Sequence, residues 1–195
     1  MIYHVKQLSS VDRPLLKSHF LALGPEDRRL RFGVPLGDDG VLAYVERINF
    51  GRDAVFGIIG DDMQLLGAAH LARGEGYAEL GVSVLPAQRG SGIGGALLAR
   101  SHTHTRNWGI HALFMHCLSE NGAMMHLARM QKMEIVAESG EADAWLKLAP
   151  ADAASRSGEA SAQRVALLDH ALKSRAATAR RDRSVPPAGT ASARG

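Results

Sequence analysis

The chain is poor in several features that would define a class of protein. Of its 195 residues only one is a cysteine, Cys117, so an internal disulfide and a multi-cysteine metal site are both excluded. No apolar run approaches the roughly 18 to 20 residues that span a bilayer, and the first residues lack a basic stretch followed by an apolar one. We therefore expect a cytoplasmic protein with no membrane segment and no bound metal.

Excess positive charge is absent from most of the chain. The net charge is +3, but residues 150–195 hold eight Lys and Arg residues against four acidic residues, a net of +4. Residues 1–149 therefore sum to −1. A nearly neutral folded part gives no electrostatic reason to expect nucleic acid as a partner.

A change of composition near residue 149 predicts the end of the folded domain. Residues 150–195 are dominated by Ala, Ser, Arg, Gly and Pro and contain no aromatic residue. We predict a domain over 1–149 and a basic tail over 150–195 that is mostly disordered. Within the tail, apolar residues recur at helical spacing at Val165, Leu168 and Leu172, which predicts a short helix over 162–176.

Hydrophobic periodicity in the domain alternates between strand and helix patterns. The predicted elements are strands over 2–8, 54–59, 65–72, 77–85, 112–118, 134–138 and 142–148, and helices over 11–23, 25–32, 40–48, 92–108 and 121–131. The turn Gly60-Asp61-Asp62 predicts a hairpin between the second and third strands. Helices interleaved with a hairpin-built sheet indicate a mixed α/β fold, with a mostly antiparallel sheet flanked by helices.

Several histidines and methionines are expected to have structural roles. His102 and His104 lie in the predicted helix 92–108 about 200° apart, so they cannot share a metal ion, and we expect a solvated helix face. The four methionines between 124 and 133 are expected to fill the core or to line an apolar pocket.

A glycine-rich loop between a strand and a helix is the most informative segment. It reads Arg89-Gly90-Ser91-Gly92-Ile93-Gly94-Gly95 and follows a strand that ends at Pro86. Glycines leave room for an anion, and the first turn of the helix offers free backbone N–H groups and the positive end of the helix dipole. The loop therefore predicts a phosphate-binding site.

Two well-known phosphate motifs fit this loop poorly. A P-loop needs Gly-Lys-Ser/Thr, and Gly94-Gly95-Ala96 lacks both the lysine and the hydroxyl. A dinucleotide motif is present as Gly90, Gly92 and Gly95, with Glu120 in the place of the ribose-binding acid. However, four residues separate the strand from the first glycine, whereas that fold turns immediately. A glycine-rich turn that binds no ligand is the remaining alternative.

The same loop resembles the pyrophosphate loop of the GNAT superfamily of N-acetyltransferases, Arg/Gln-x-x-Gly-x-Gly/Ala. Ala78–Val84 is similar to the fourth strand of that family, and Asn121 with Leu127 is similar to its last helix. The resemblance implies acetyl-CoA as cosubstrate and central strands that splay to admit its pantetheine. It also implies these cosubstrate-binding residues: Val82 and Val84 through their backbones, Arg89, Gly90, Ser91, Gly92, Ile93, Gly94, Gly95 and Asn121.

Acetyl transfer to an amine needs a base for the amine proton and stabilisation of the leaving thiolate. Related enzymes often place a glutamate base at the start of the fourth strand, which is Glu79 in this chain; a solvated strand-end glutamate is the alternative. His70, in the third strand, is a second candidate base, and otherwise a sheet histidine with a backbone partner. Ser119, after the fifth strand, is the candidate hydrogen-bond donor to the thiolate.

The chain departs from the family pattern in its last helix. The tyrosine that normally protonates the thiolate falls at Ala128, and Lys132-Met133 replaces the common Gly-Phe. His126, on the same helix, is a weak substitute for the missing acid. This departure leaves open a non-catalytic acyl-CoA-binding module as the alternative to an enzyme.

The acceptor is suggested only by a short resemblance. Asp27–Phe32, with its Arg-Phe pair, followed by Leu42–Phe50, is similar to the entry segment of the GNAT domain in bacterial protein lysine acetyltransferases. We predict an N-acetyltransferase that uses a direct ternary complex, since no placed nucleophile is apparent for a covalent intermediate. Its acceptor is a primary amine, either a small molecule or a protein lysine, and the protein is a monomer or a homodimer.

Overall fold

The computed structural model describes residues 2–184. Its elements, in chain order, are β1 (Lys6–Leu8), α1 (Arg13–Leu21), α2 (Pro25–Phe32), α3 (Asp38–Arg47), β2 (Ala54–Ile59), β3 (Leu65–Arg73), β4 (Tyr77–Val84), α4 (Ile93–Asn107), β5 (Ala112–Leu118), α5 (Gly122–Met130), β6 (Glu134–Glu138), β7 (Glu141–Lys147) and α6 (Ala153–Ser184). Most elements agree with the predicted ones to within two residues, but β1 is shorter than the predicted strand over 2–8. In this part of the chain no helix is long and apolar enough to span a membrane.

The strands form one seven-stranded sheet in the order β1-β2-β3-β4-β5-β7-β6. All neighbours are antiparallel except β4 and β5, which run parallel. The predicted hairpin joins β2 to β3, and its turn is closed by a hydrogen bond from Gly60 N–H to the Gln64 carbonyl at 2.9 Å. The mixed, mostly antiparallel sheet flanked by helices is thus confirmed.

The central strands β4 and β5 separate after a short stretch of pairing. They pair only at Tyr77 with Ala112, Ala78 with Leu113, and Glu79 with Phe114. From there β4 continues to Val84 and β5 to Leu118, with no further pairing between them in the described structure. Beyond Glu79, the edge of β4 that faces β5 therefore has backbone groups without a strand partner, while the other edge stays paired with β3.

Each face of the sheet is covered by a separate apolar cluster. On one face, Leu80 and Val82 of β4 pack in the same cluster as Leu97 and Leu98 of α4. On the other face, residues of α1 and α3 pack against β2 and β3. Because side chains alternate along a strand, β2 supplies both layers from one segment.

A buried histidine joins the second layer to the sheet. His19, in α1, hydrogen-bonds through Nδ1 to the Leu65 carbonyl at 2.7 Å and through Nε2 to Ser83 Oγ at 2.8 Å. A carbonyl only accepts, so Nδ1 carries the proton and Nε2 accepts the hydrogen bond of the Ser83 hydroxyl. Burial lowers the pKa of His19 to about 4; the hydrogen bond to the Leu65 carbonyl opposes this shift, and the nearby Arg31 cation adds a smaller lowering of its own.

Acid is expected to destabilise the fold through His19. The unfolded chain binds a proton at this ring below about pH 6.5, whereas the folded protein resists it down to about pH 4, so stability falls as the pH drops through that interval. The full loss amounts to about 3 kcal/mol of unfolding free energy. Denaturant titrations between pH 7 and pH 4 measure this loss of unfolding free energy. In His19→Gln the unfolding free energy should depend much less on pH. In His111→Gln, a substitution at an exposed site, the pH dependence should match the wild type. An unchanged slope in His19→Gln would contradict this account.

The predicted tail is largely helical, so the expectation of disorder there was wrong. α6 extends over Ala153–Ser184, much beyond the predicted helix at 162–176. Asp152 Oδ1 accepts a hydrogen bond from Ser155 N–H at 2.6 Å and so caps the first turn. The remainder of the tail, 185–195, lies outside the described residues. The domain boundary at residue 149 stays a prediction.

An ion cluster attaches α6 to α4. Glu159 accepts hydrogen bonds from Arg100, from His104 Nδ1 at 2.6 Å and from Asn107 Nδ2 at 2.6 Å. Burial alone would raise the pKa of Glu159, but these donors outweigh it and hold the pKa at about 2. His104 therefore lies beneath α6, and the expected solvated face was wrong for this residue.

Candidate functional site

A cavity of about 490 Å³ opens where β4 and β5 diverge. Its walls are the end of β4, the glycine loop, the first turn of α4, one side of α5 and part of α2. Every residue predicted to bind the cosubstrate lines this cavity except Ser91. Of the four methionines, Met124 and Met130 also line it, while Met125 and Met133 are buried in the core.

The glycine loop has a backbone that favours glycine at two positions. Gly90 has a φ of +73° and Gly92, which precedes α4, has a φ of +96°. A side chain at Gly90 would meet no atom within 4 Å, and the same is true at Gly95. The loop therefore borders open space beside the first N–H groups of α4, which have no partner within the helix. These features fit a pyrophosphate group.

Arg89 lies at the mouth of the cavity. Its guanidinium forms an ion pair with Asp27 of α2 at 2.7 Å and its Nε hydrogen-bonds to the Val84 carbonyl at 3.4 Å. The Arg89 side chain is 49% exposed, and exposed ion pairs contribute little to stability. Arg89 can therefore give up its ion pair with Asp27 and pair with a phosphate at little cost in free energy.

Asn121 joins two walls of the cavity. Its Oδ1 accepts a hydrogen bond from Met124 N–H at 3.1 Å and so caps α5. Its Nδ2 donates to the Leu30 carbonyl of α2 at 3.0 Å. The side chain is buried, and both of its polar ends are engaged within the protein. Its direct contact with the cosubstrate stays a prediction.

Two of the three catalytic candidates, Glu79 and His70, lie on the same face of the paired strands β4 and β3, two positions out of register, while Ser119 lies beyond the end of β5. Glu79 is exposed and lies opposite Phe114, at the last paired position before the strands separate. His70 lies on β3 and is mostly buried, and Ser119 is exposed in the turn after β5, where its N–H donates to the Gly140 carbonyl at 2.9 Å. None of the three lines the cavity, and their catalytic roles stay predictions.

A chain of hydrogen bonds, which sequence reasoning missed, surrounds His70. Its Nδ1 bonds to Tyr44 Oη at 2.7 Å and its Nε2 to Asp53 Oδ2 at 3.2 Å, while Arg31 Nη2 donates to Tyr44 Oη at 3.0 Å. Burial lowers the pKa of His70, and the Arg31 cation lowers it further, although Asp53 opposes both. The only sequence feature that pointed to this hydrogen-bonded group was the Arg-Phe pair that ends α2.

α5 shows how the chain departs from the family pattern. Ala128, at the place of the family tyrosine, is buried and does not line the cavity. His126 and Leu127 beside it do line the cavity. Lys132, in the place of the glycine of the family pattern, has a φ of +54°, a left-handed backbone that glycine adopts most readily.

Metal chemistry has no candidate centre in the described chain. Within residues 2–184, no three His, Cys, Asp or Glu residues are grouped so that they could hold a metal ion. The site instead offers a backbone-lined anion pocket next to an opening between strands. Such a site defines a class of protein that binds a phosphate-bearing cosubstrate between splayed strands.

The family follows from a match to a family model. Residues 26–132 match the acetyltransferase (GNAT) family, and the chain belongs to that family. It is therefore an acyltransferase, and its cosubstrate is acetyl-CoA. No curated protein shows significant sequence similarity to it.

Solved structures share the fold at low sequence identity. The GNAT domain of S. lividans PAT is 21% identical with a TM-score of 0.63, over 74% of this chain and 89% of that one. The Thermoplasma acidophilum paia N-acetyltransferase, solved with coenzyme A, is 16% identical with a TM-score of 0.58, over 75% and 99%. Salmonella typhimurium yncA, solved with acetyl-CoA, is 18% identical with a TM-score of 0.59, over 78% and 98%.

Proposed function

We propose that this protein transfers the acetyl group of acetyl-CoA to a primary amine, on a small molecule or a protein lysine, in a direct ternary complex. The observation that supports the proposal is the convergence of the glycine loop and the strand separation on one cavity. Phosphates at the loop would direct the pantetheine along the free edge of β4, towards the point where pairing with β5 ends. The proposed location is the cytoplasm and the proposed assembly a monomer or homodimer.

The chemistry needs few groups beyond those that bind acetyl-CoA. The amine nitrogen attacks the thioester carbonyl carbon, a C–N bond forms, the C–S bond breaks, and CoA leaves as a thiolate. Glu79, at the last paired position of β4, accepts the amine proton directly or through one water. Since Ala128 supplies no acid, the thiolate takes its proton from water.

Glu79→Gln tests the proposed base. We expect acetyl-CoA binding to be unchanged and the rate of CoA thiol release to fall about 100-fold or more, because the amide cannot accept the proton. Glu75→Gln, at an exposed position before β4, is the matched control and should retain the wild-type rate.

The same assay distinguishes the enzyme from a binding module. His70→Ala tests the second candidate base beside Glu79→Gln. If the wild-type protein binds acetyl-CoA but releases no thiol with any amine, or if neither substitution changes any measured rate, the proposed chemistry is wrong and a non-catalytic acyl-CoA-binding module gains support.

A further inference from the structure

Arg31 of α2 places a cation on the wall of the acetyl-CoA cavity. Its guanidinium lies directly over Gly81 of β4, where any side chain would collide with it. Gly81 is two residues beyond Glu79, the last position at which β4 pairs with β5. The cation is therefore next to the segment of β4 where the strands have separated.

Arg31 differs from the other arginines of its helix. Arg28 pairs with Asp38 at 2.7 Å, and Arg29 pairs with Glu26 at 2.7 Å and with Glu120 at 2.8 Å. Arg31, by contrast, forms no ion pair with a carboxylate among the described side chains, and its Nε is buried without a hydrogen-bond partner. A partly buried cation without a counter-ion is costly, so an anionic group of a ligand in the cavity would stabilise it.

The surroundings hold the Arg31 side chain in place without neutralising it. Its guanidinium lies 5.0 Å from the ring centre of Phe32, 5.7 Å from that of Tyr44 and 5.9 Å from that of Phe20. Aromatic faces attract a cation but leave its in-plane N–H groups unused. The Tyr44 hydroxyl takes one N–H group and is itself fixed by His70.

The buried carboxylate at the end of the same hydrogen-bond chain, Asp53, already has its own partners. Asp53 accepts hydrogen bonds from Arg52 at 2.8 Å, from His70 at 3.2 Å and from the Arg73 N–H at 3.3 Å. Asp27, which also lines the cavity, pairs with Arg89. Burial is the main cause of the lowered pKa of both His19 and His70, and the positive charge of Arg31 contributes to each.

We propose that Arg31 binds a carboxylate of the substrate, so that this site acts on a substrate with a negative charge close to the reacting group. The inference rests on the proposed function and names its substrate class. A carboxylate suits the planar guanidinium, which can donate two parallel hydrogen bonds to it. The carboxylate belongs either to the amine acceptor, as in an amino acid, or to a dicarboxylic acyl group on CoA.

Two matched ligand pairs distinguish these sources. With CoA present, 5-aminopentanoate is compared with pentylamine by calorimetry; without an acceptor, succinyl-CoA is compared with butyryl-CoA. In one of the two pairs we expect the ligand with the carboxylate to bind at least about tenfold more tightly than the ligand without it, because hydrogen bonds to a charged group contribute that much free energy. Arg31→Gln should abolish the preference, Arg31→Lys should retain part of it, and Arg29→Gln should retain all of it.

Several results would overturn the proposal. Equal binding within both pairs would do so, as would a preference that survives in Arg31→Gln. The circular dichroism spectrum and the unfolding midpoint verify that each variant is folded; if Arg31→Gln fails that check, Arg31→Lys decides, because it keeps the charge but loses the planar fork. Failure of the proposed function has a separate signature, since absent thiol release with every amine leaves the binding comparisons intact.

Discussion

Replacement of Gly90 by alanine is expected to weaken acetyl-CoA binding between about tenfold and a hundredfold. Gly90 has a φ of +73°, which alanine adopts only at a cost of roughly 1 to 2 kcal/mol. The loop relieves that strain by changing its backbone angles, and this turns its N–H groups away from the pyrophosphate. Loss of one or two hydrogen bonds to a charged group accounts for the expected change in affinity, which calorimetry measures.

Gly109 provides a closely matched control for this substitution. It follows α4 at the opposite end, has a φ of +75° and, like Gly90, would place a side chain in open space. Gly109→Ala should therefore lose a similar amount of stability while acetyl-CoA affinity stays at the wild-type value. Equal affinities in the two variants would show that the conformation of the loop does not determine binding.

Glu159→Ala is expected to lower the free energy of unfolding by about 3 to 5 kcal/mol, or to release α6 from α4 at a similar cost. The substitution leaves Arg100 and His104 buried without their carboxylate partner. Denaturant unfolding measures the total loss, and hydrogen exchange of the α6 amides shows whether the helix alone is released.

The same helix supplies the control for this second prediction. Asp169 pairs with Lys173 at 2.7 Å, but the two side chains are 27% and 23% exposed and the pair spans a single helical turn. Asp169→Ala should therefore cost at most about 1 kcal/mol. If Glu159→Ala proves no more damaging than Asp169→Ala, the ion cluster does not hold α6 in place.

The parts of the structure that are encoded locally were predictable from the sequence. α2, β2, β5 and β6 begin and end where hydrophobic periodicity, proline and glycine placed them, because each pattern depends only on neighbouring residues. The glycine loop was identified for the same reason. Its spacing after β4 and before α4 is itself the signal of an anion site.

The parts that depend on contacts between distant residues were not predictable. The apolar residues at helical spacing in α6, Val165, Leu168 and Leu172, are exposed. The attachment of the helix depends instead on Glu159 meeting two residues more than 50 positions earlier, Arg100 and His104. Arg31 was noticed only as half of an Arg-Phe pair. Its isolation from carboxylates became visible once the fold had placed it over Gly81.

The central claim is that the cavity between β4 and β5 binds acetyl-CoA and presents its acetyl group to an amine. The most direct measurement is a calorimetric titration with acetyl-CoA, with desulfo-CoA and with NAD, followed in the same sample by thiol release over a panel of amines and a lysine peptide. The account predicts that acetyl-CoA binds, that NAD does not, and that at least one amine releases the thiol. Binding of NAD in place of acetyl-CoA would contradict it.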